Sequence, residues 1–400
     1  MTDLRIGVAG LGLRKTLAVE AHRPGSGARV TTVCDPDPAV YDWARANFGD
    51  DVRTVADFDE LLDADLDAVL VLTPDHTHID LGVRALTAGV PTFMEKPLAT
   101  TIGDCDTLLD TAHRTGTRLY VGHNMRHMPV IRTMREVIAS GAIGEVEAVW
   151  CRHFVGHGGD FYYKDWHADR RNTTGLLLQK GAHDIDVIHW LAGASTRQVT
   201  AMGKLSVYNR VTDRQSAPGQ RPDDWYAPDS NWPPLSQTGL HPVVDVEDLS
   251  MMLMRLDNGV QASYQQCHYT PDYWRNYTVI GTAGRLENFG DTGGNAVVRV
   301  WNSGRRGYDA EGDRTIEIPT ATGGHGGADT ALIDEFLRFV RDGGATDTSP
   351  VAARDSVAAG VAATESLRAG GTAREVAPVS EPLTSYFNSG QPSRTQNPSV

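Results

Sequence analysis

The chain has 400 residues, 40% hydrophobic and 22% charged, which is enough for two buried cores and implies two domains plus a tail. A net charge of −14 with no basic run excludes a surface built for nucleic acid or anionic lipid, because phosphate binding needs a concentrated basic face. Four scattered cysteines (Cys34, Cys105, Cys151 and Cys267), no leader-like start and no apolar stretch long enough to span a bilayer set the expectation of a reduced, cytoplasmic protein.

Residues 4 to 10 form a short apolar run that ends in Gly10-Leu11-Gly12 and passes into a helical pattern through Leu17, Val19 and Ala21. Strand, glycine turn and helix open a dinucleotide fold. The second strand, Ala28 to Val33, ends at Cys34-Asp35, and an acidic residue ~20 positions past the turn suits a ribose 2′-hydroxyl and repels a 2′-phosphate. NAD is therefore expected over NADP. The third glycine position of the turn is Lys15, so helix and strand must approach differently there, or Lys15 points toward the phosphates. A helix at 39–48, a strand near Val52 and a helix near 58–62 follow. The apolar strand 68–72 then runs into Thr73-Pro74-Asp75-His76-Thr77-His78. After the helix 79–88, the next strand closes on Glu95-Lys96-Pro97, at the carboxyl edge where such sheets bind ligands. Lys96 there is either a catalytic group or an idle ion pair with Glu95. A helix at 105–114 and a strand at 118–121 complete the alternation, which stops near residue 123.

Beyond that boundary come a helix at 130–139, a strand at 145–154, and a loop, 156–167, whose glycines, histidines and aromatics suit a polyol site or an ordered surface loop. Leu176 to Trp190 reads as one helix closed by Gly193, with Gln179, Lys180 and His183 on adjoining turns. Lys180 is either a base or donor, or an i,i+4 ion pair with Asp184. His183 is either functional or a hydrogen-bonded core histidine, and Asp186 orients His183 or caps. His153, His157 and His167 lack ligand spacing, so no metal is expected. From Gln198 on, strands dominate: 199–208, 249–256, a turn at Asp257-Asn258-Gly259, 260–269, 277–281, 296–301 and 315–318. They imply an open, mostly antiparallel sheet in an α+β second domain. The proline-rich segment 209–243, with Trp225, Tyr226 and Trp232, reads as a lid, a subunit contact or disorder. Helices are expected at 330–341 and 351–367, with poor order after about residue 380.

Together, the glycine turn, Thr73-Pro74 with His78, Glu95-Lys96-Pro97, and Gly181-Ala182-His183-Asp184-Ile185-Asp186 resemble the Gfo/Idh/MocA family of glucose-fructose oxidoreductase and inositol dehydrogenase-like enzymes, over roughly residues 4 to 370. The resemblance implies an α/β protein. Residues 1–123 would form an NAD-binding Rossmann domain, and 124–345 a substrate-binding and oligomerisation domain. A helix within 346–370 would return to the Rossmann domain, and 371–400 would be a tail disordered at its end. It also implies a nicotinamide cofactor, sugar or cyclitol substrates and a homo-oligomer, dimer or tetramer. Lys96 would sit beside the nicotinamide, and His183 would move the hydroxyl proton.

Many members carry an aspartate four residues before that histidine. Here it is Gln179, which exchanges no proton at neutral pH, with Lys180 following. The cofactor set is then Gly10, Leu11, Gly12, Asp35, Thr73, Pro74, His78, Glu95 and Lys96, and the catalytic set Lys96, His183 and Lys180. Substrate contacts are expected from Asn124, Arg126, Trp166, Arg170, Gln179, His183 and His325. The activity expected is NAD-dependent oxidation or reduction at a secondary hydroxyl of a sugar, sugar derivative or cyclitol. The rivals are a glycoside-cleaving or epimerising enzyme that recycles tightly bound NAD, and a non-enzymatic sensor.

Overall fold

The computed structural model describes residues 2–215, 231–292, 294–320 and 323–392. Trp225 and Tyr226 of the proline-rich segment lie outside them. The chain divides into two compact units: the described parts of Met1–Asn124, Ala328–Arg354 and Val379–Val400, and those of Met125–Gly327 and Asp355–Pro378.

The first unit is built on six parallel strands, β1 (Leu4–Ala9), β2 (Ala28–Cys34), β3 (Arg53–Val55), β4 (Ala68–Val71), β5 (Thr92–Met94) and β6 (Leu119–Val121), ordered β3-β2-β1-β4-β5-β6. Strand order reverses at β1/β4, which puts the ligand crevice outside the carboxyl ends of these two strands. All four residues of β4 are buried, as expected of a central parallel strand covered on both faces. The helices α1 (Lys15–Ala21), α2 (Tyr41–Phe48), α3 (Phe58–Leu62), α4 (His78–Thr87) and α5 (Ile102–Thr115) connect the strands.

The expected division of the carboxyl-terminal half needs correction. The segment that packs on the Rossmann sheet is the helix Ala328–Asp342, whose Leu332, Ile333, Phe336, Leu337 and Phe339 join the core of Ile6, Val8, Phe93 and Tyr120. Phe336 meets Phe93 edge-on at 5.4 Å, and the Tyr120 hydroxyl donates to Glu335 at 2.7 Å. Helix Pro350–Arg368, expected to return to the first unit, lies mostly in the second. The tail, too, is structured up to residue 392. Glu381–Asn388 is helical with Phe387 buried, and the Gln391 amide pairs with the Leu119 N–H and C=O, both at 2.8 Å. One side chain thus does the work of a strand neighbour for β6, whose free edge would otherwise leave backbone groups unmet.

In the second unit the strands are β7 (Val146–Phe154), β8 (Thr196–Lys204), β9 (Leu249–Leu256), β10 (Gln261–Cys267), β11 (Trp274–Gly281), β12 (Gly284–Phe289), β13 (Val297–Trp301), β14 (Arg314–Glu317) and β15 (Arg374–Glu375). Their order is β14-β13-β12-β11-β7-β10-β9-β8-β15, antiparallel except for the parallel pair β7/β10. Strand β12 escaped the sequence reading because Asn288 stands at a buried position and Phe289 at a half-buried one, which breaks the apolar alternation. One face of the sheet is covered by α10 (Gly181–Ala192), whose first turn follows α9 (Leu176–Gln179). The expected single helix is interrupted at Lys180, but Lys180 keeps helical angles (φ −87°, ψ −41°), so Gln179 and His183 retain their i,i+4 spacing. Gly193, at φ 66°, closes α10 as a left-handed cap. The loop 156–167 is ordered and includes a short helix, Gly158–Tyr162, with Tyr162 and Tyr163 buried under Tyr208 and Leu240. No helix among the described residues is long and apolar enough to cross a membrane.

Because Phe336 is 1% exposed and touches two aromatic rings of the Rossmann core, Phe336→Ala is expected to cost about 3–5 kcal/mol. Urea titration followed by circular dichroism measures this, and a loss under about 1 kcal/mol contradicts the packing described.

Candidate active site

In the first unit the carboxyl ends of β1, β2, β4, β5 and β6 bring the expected residues into one neighbourhood. Gly10 has φ +87°, and a Cβ there would lie 2.9 Å from Thr73 Cγ2 and 3.0 Å from the Leu72 backbone, so only glycine fits between the two crossing loops. A Cβ on Gly12 would meet nothing within 4 Å, so the turn opens onto free space as a phosphate cradle requires. The Asp35 carboxylate, at the end of β2, accepts the Leu11 N–H at 2.8 Å and the Asp37 N–H at 2.9 Å. A carboxylate held beside the glycine turn fits a dinucleotide with free ribose hydroxyls. Lys15 lies 5.2 Å from the Trp43 ring centroid, a cation–π contact that directs it onto α2.

Two residues expected to touch the cofactor also join loops. His78 is fully buried, its Nδ1 2.8 Å from the Pro97 carbonyl and its Nε2 3.0 Å from that of Thr73. The ring therefore clips the loop after β4 to the loop after β5. Burial pushes its pKa down, against the pull of these two carbonyls. Glu95, 4% exposed, accepts the Lys96 N–H at 2.5 Å on Oε2 and Arg14 Nε at 2.5 Å on Oε1. Arg14 is thus a cation paired with Glu95. The η nitrogens of Arg14 also fork onto Asp329, each at 3.2 Å, and Asp329 Oδ1 accepts Asn124 Nδ2 at 2.8 Å. Asn124, expected to meet substrate, is buried in this cluster. Thr73 Oγ1 is 2.6 Å from Thr77 Oγ1, which closes the loop after β4 on itself.

Neither Arg14 nor Asp329 was singled out from the sequence. Arg14 carried a usable signal, a bulky cation two residues past Gly12 in a turn that favours small side chains. Asp329 carried none.

The second unit has a buried polar centre behind the helix that bears His183. Asp184, wholly buried, lies 3.1 Å from Arg275 Nε and 3.0 Å from His153 Nδ1, and it accepts from the Tyr277 hydroxyl. Asp184 is therefore committed to the sheet, where the sequence left it as a surface partner for Lys180. Burial pushes its carboxyl up, but Arg275, His153 and the hydrogen bonds from His153 and Tyr277 outweigh this and hold it below the usual range. Asp186, expected to orient His183, forms a buried two-point ion pair with Arg126, at 2.7 Å from both Nε and Nη2. Arg126 thereby has a scaffold duty, and its guanidinium lies 5.6 Å from the Trp190 ring centroid. Arg170 is likewise engaged, by Asp245 at 2.9 Å.

His183 opens α10 and is buried, and Gln179 ends α9, also buried. Lys180 Nζ lies 5.9 Å from the Tyr162 ring centroid. Trp166 stacks on His167 at 3.7 Å. His325 occupies an exposed turn with φ +50°. No group of three or more His, Cys, Asp or Glu side chains among the described residues is arranged to hold a metal ion.

A doubly wound parallel sheet with an open glycine turn and an acidic β2 end defines a dinucleotide-binding class of protein. Family comparison agrees: residues 4–123 match the oxidoreductase family's NAD-binding Rossmann fold and residues 135–374 its C-terminal alpha/beta domain. The chain belongs to the Gfo/Idh/MocA oxidoreductase family.

YteT of Bacillus subtilis (strain 168) is 25% identical over 350 residues, 77% of this chain and 82% of YteT. Inositol 2-dehydrogenase 1 of Saccharopolyspora erythraea is 32% identical over 49% of this chain, and inositol 2-dehydrogenase of Ralstonia nicotianae 35% identical over 48%. The matches span only 57% and 55% of those two enzymes. Among solved structures, levoglucosan dehydrogenase in complex with NADH and levoglucosan superposes with a TM-score of 0.76 at 20% identity, over 94% of this chain and 100% of the other. GenD2 from gentamicin A biosynthesis, in complex with NAD, gives 0.72 at 22% identity, over 94% and 97%. At these identities the structural matches show the fold.

Buried histidines set a pH dependence. Burial lowers the pKa of His78, takes His189 down to about 4 and holds His268 well below 6.5. His153 falls to about 3 through burial and then Arg275, against the pull of Asp184. An unfolded imidazole takes a proton near 6.5. The native state therefore binds fewer protons below that pH, and stability is expected to fall as pH drops from about 6.5 toward 4, by up to about 1.4 kcal/mol per pH unit for each such ring. Urea midpoints at pH 7.5, 6 and 5 report the trend. A midpoint that stays level across that range contradicts neutral burial of these rings.

Proposed function

We propose that the protein is an NAD-dependent oxidoreductase that moves a hydride between the nicotinamide and a secondary hydroxyl of a sugar, sugar derivative or cyclitol. The observation that carries this reading is Lys96 at the carboxyl end of β5, held by its own N–H on Glu95 within the same loop cluster as the open glycine turn. NAD rather than NADP is supported by Asp35, whose negative charge opposes a 2′-phosphate. The names of the relatives, inositol and levoglucosan dehydrogenases among them, support a polyol substrate.

The nicotinamide, when bound, accepts or returns the hydride. In the oxidation direction Lys96 donates a hydrogen bond to the reacting oxygen and stabilises its developing negative charge. His183 accepts the hydroxyl proton. Gln179, at the place of the usual carboxylate, orients by its amide without exchanging a proton, and Lys180 supplies a cation beside it.

That same replacement favours one second reading, in which bound NAD is recycled within each turnover and the product is an epimer or a cleaved glycoside. Self-association is proposed as well. On the sheet face away from α10, the exposed Leu253 and Trp150 both oppose Ser263, and Met251 opposes the exposed Met202, an apolar set suited to a second copy of the chain. If so, light scattering reports a dimer or tetramer, and Leu253→Glu lowers the mass; a monomeric wild type refutes it.

The test of activity is to identify the nucleotide that copurifies and to screen sugars and cyclitols for a change in nicotinamide absorbance. Lys96→Ala is expected to lower kcat by about 100-fold or more while NAD binding changes little. Turnover that survives this change within a few-fold removes Lys96 from the chemistry. Product formed with no net NADH and no added NAD selects the recycling reading instead.

A further inference from the structure

Arg14 is not used by the chemistry above, yet it bridges two carboxylates at the crevice edge of the first unit. It precedes α1, two residues beyond Gly12. Its single positive charge faces two carboxylates, with Nε on Glu95 at 2.5 Å and the η nitrogens forked onto Asp329 at 3.2 Å. With its charge exceeded by its partners', the guanidinium has no surplus with which to hold a phosphate. The other oxygen of Glu95 holds the Lys96 backbone N–H, and Asp329 in turn holds Asn124 at the end of β6. A path of direct contacts therefore runs from the glycine turn through Arg14 and Glu95 to Lys96, anchored on the helix Ala328–Asp342.

We propose that Arg14 is a positioning residue for Lys96. It fixes the Glu95 carboxylate that holds the lysine's backbone, and its positive charge offsets that carboxylate beside the lysine. The geometry suits a planar fork and does not suit lysine, whose ammonium is a point charge unable to span Glu95 and Asp329 in this way. The inference rests on Lys96 being the catalytic group, but one of its tests requires no turnover. Among the described residues the charged groups of this cluster are Arg14, Glu95, Asp329 and Lys96, and the nearby His78 has its pKa lowered by burial.

With Arg14→Met, Glu95 and Asp329 lose their counter-ion, and two uncompensated negative charges raise the pKa of a neighbouring ammonium. Competitive labelling of lysine amines in the full-length protein, read by mass spectrometry, is expected to show Lys96 modified about threefold more slowly or less, with the exposed Lys204 unchanged. Arg14→Lys is expected to restore part of the rate, since it returns the charge without the fork. Asp329→Asn, which keeps an acceptor for Asn124, is expected to displace Lys96 reactivity as well and serves if Arg14→Met does not fold.

In a double-mutant cycle, Arg14→Met is expected to cost about tenfold or more in kcat with NAD dissociation constants within about threefold, and to cost less than about threefold in the Lys96→Ala background. Unchanged labelling of Lys96 in both Arg14→Met and Asp329→Asn overturns the inference, and so does an equal loss of kcat in both backgrounds. Altered labelling in a protein that turns over no polyol upholds the positioning role and overturns the proposed activity.

Discussion

One guanidinium, that of Arg14, holds together the carboxyl edge of the six-stranded sheet. It reaches Glu95 after β5 and Asp329 on a helix more than 300 positions away in sequence, and Asp329 holds Asn124 after β6. The edge of a parallel sheet is where the loops are least constrained by the ladder, so something must set their mutual position before a ligand can be read there. Here a bidentate charge pair in a largely buried setting does so, and His78 adds a second clip between the loops after β4 and β5. The arrangement costs desolvation of three charges, which good geometry and several hydrogen bonds offset. It yields a backbone position for Lys96 that depends on no flexible side chain of its own.

The second unit uses the same physical device in its interior. Asp184 is wholly buried and would cost several kcal/mol unpaired, and it is met by Arg275 and His153 from adjacent strands and by Tyr277. One residue earlier on the same helix stands His183. Asp186, one turn from His183, is taken by Arg126 in a buried two-point pair. Helix α10 is thus bolted to its sheet on one side and to the segment before helix Pro129–Ala139 on another, which fixes the face on which Gln179 and His183 are presented.

Much of the fold was legible in order of residues alone, because parallel strands covered on both faces read as apolar runs and glycine turns carry their own backbone signal. The Rossmann strands, the glycine turn and Asp35 followed from such local patterns, and so did most of the later antiparallel strands. The strand Gly284–Phe289 did not, since a polar residue, Asn288, occupies its buried face and breaks the alternation. The carboxyl-terminal helices were seen as helices and assigned to the wrong units, because Leu332, Ile333 and Phe336 form the same amphipathic stripe whichever sheet they cover. Gln391 could not be anticipated at all: an amide that completes a strand edge looks like any polar tail residue.

The sequence by itself determined the chemistry on offer: a lysine at the end of a crevice strand, a histidine on an interior helix, and a glutamine where the family resemblance leads to the expectation of an aspartate. These are properties of residue type at a local position, and they survive any detail of packing. Only the tertiary structure decided which polar groups are spent on holding the scaffold. Glu95, His78, Arg126 and Arg170 all read as ligand contacts, and all have backbone or carboxylate partners. Arg14 and Asp329 were not singled out, and the structure joins them at the crevice edge of the sheet. The reason is that a buried ion pair is a long-range event. Its two members carry no shared pattern in sequence, and their meeting is set by how the helix Ala328–Asp342 docks on the sheet.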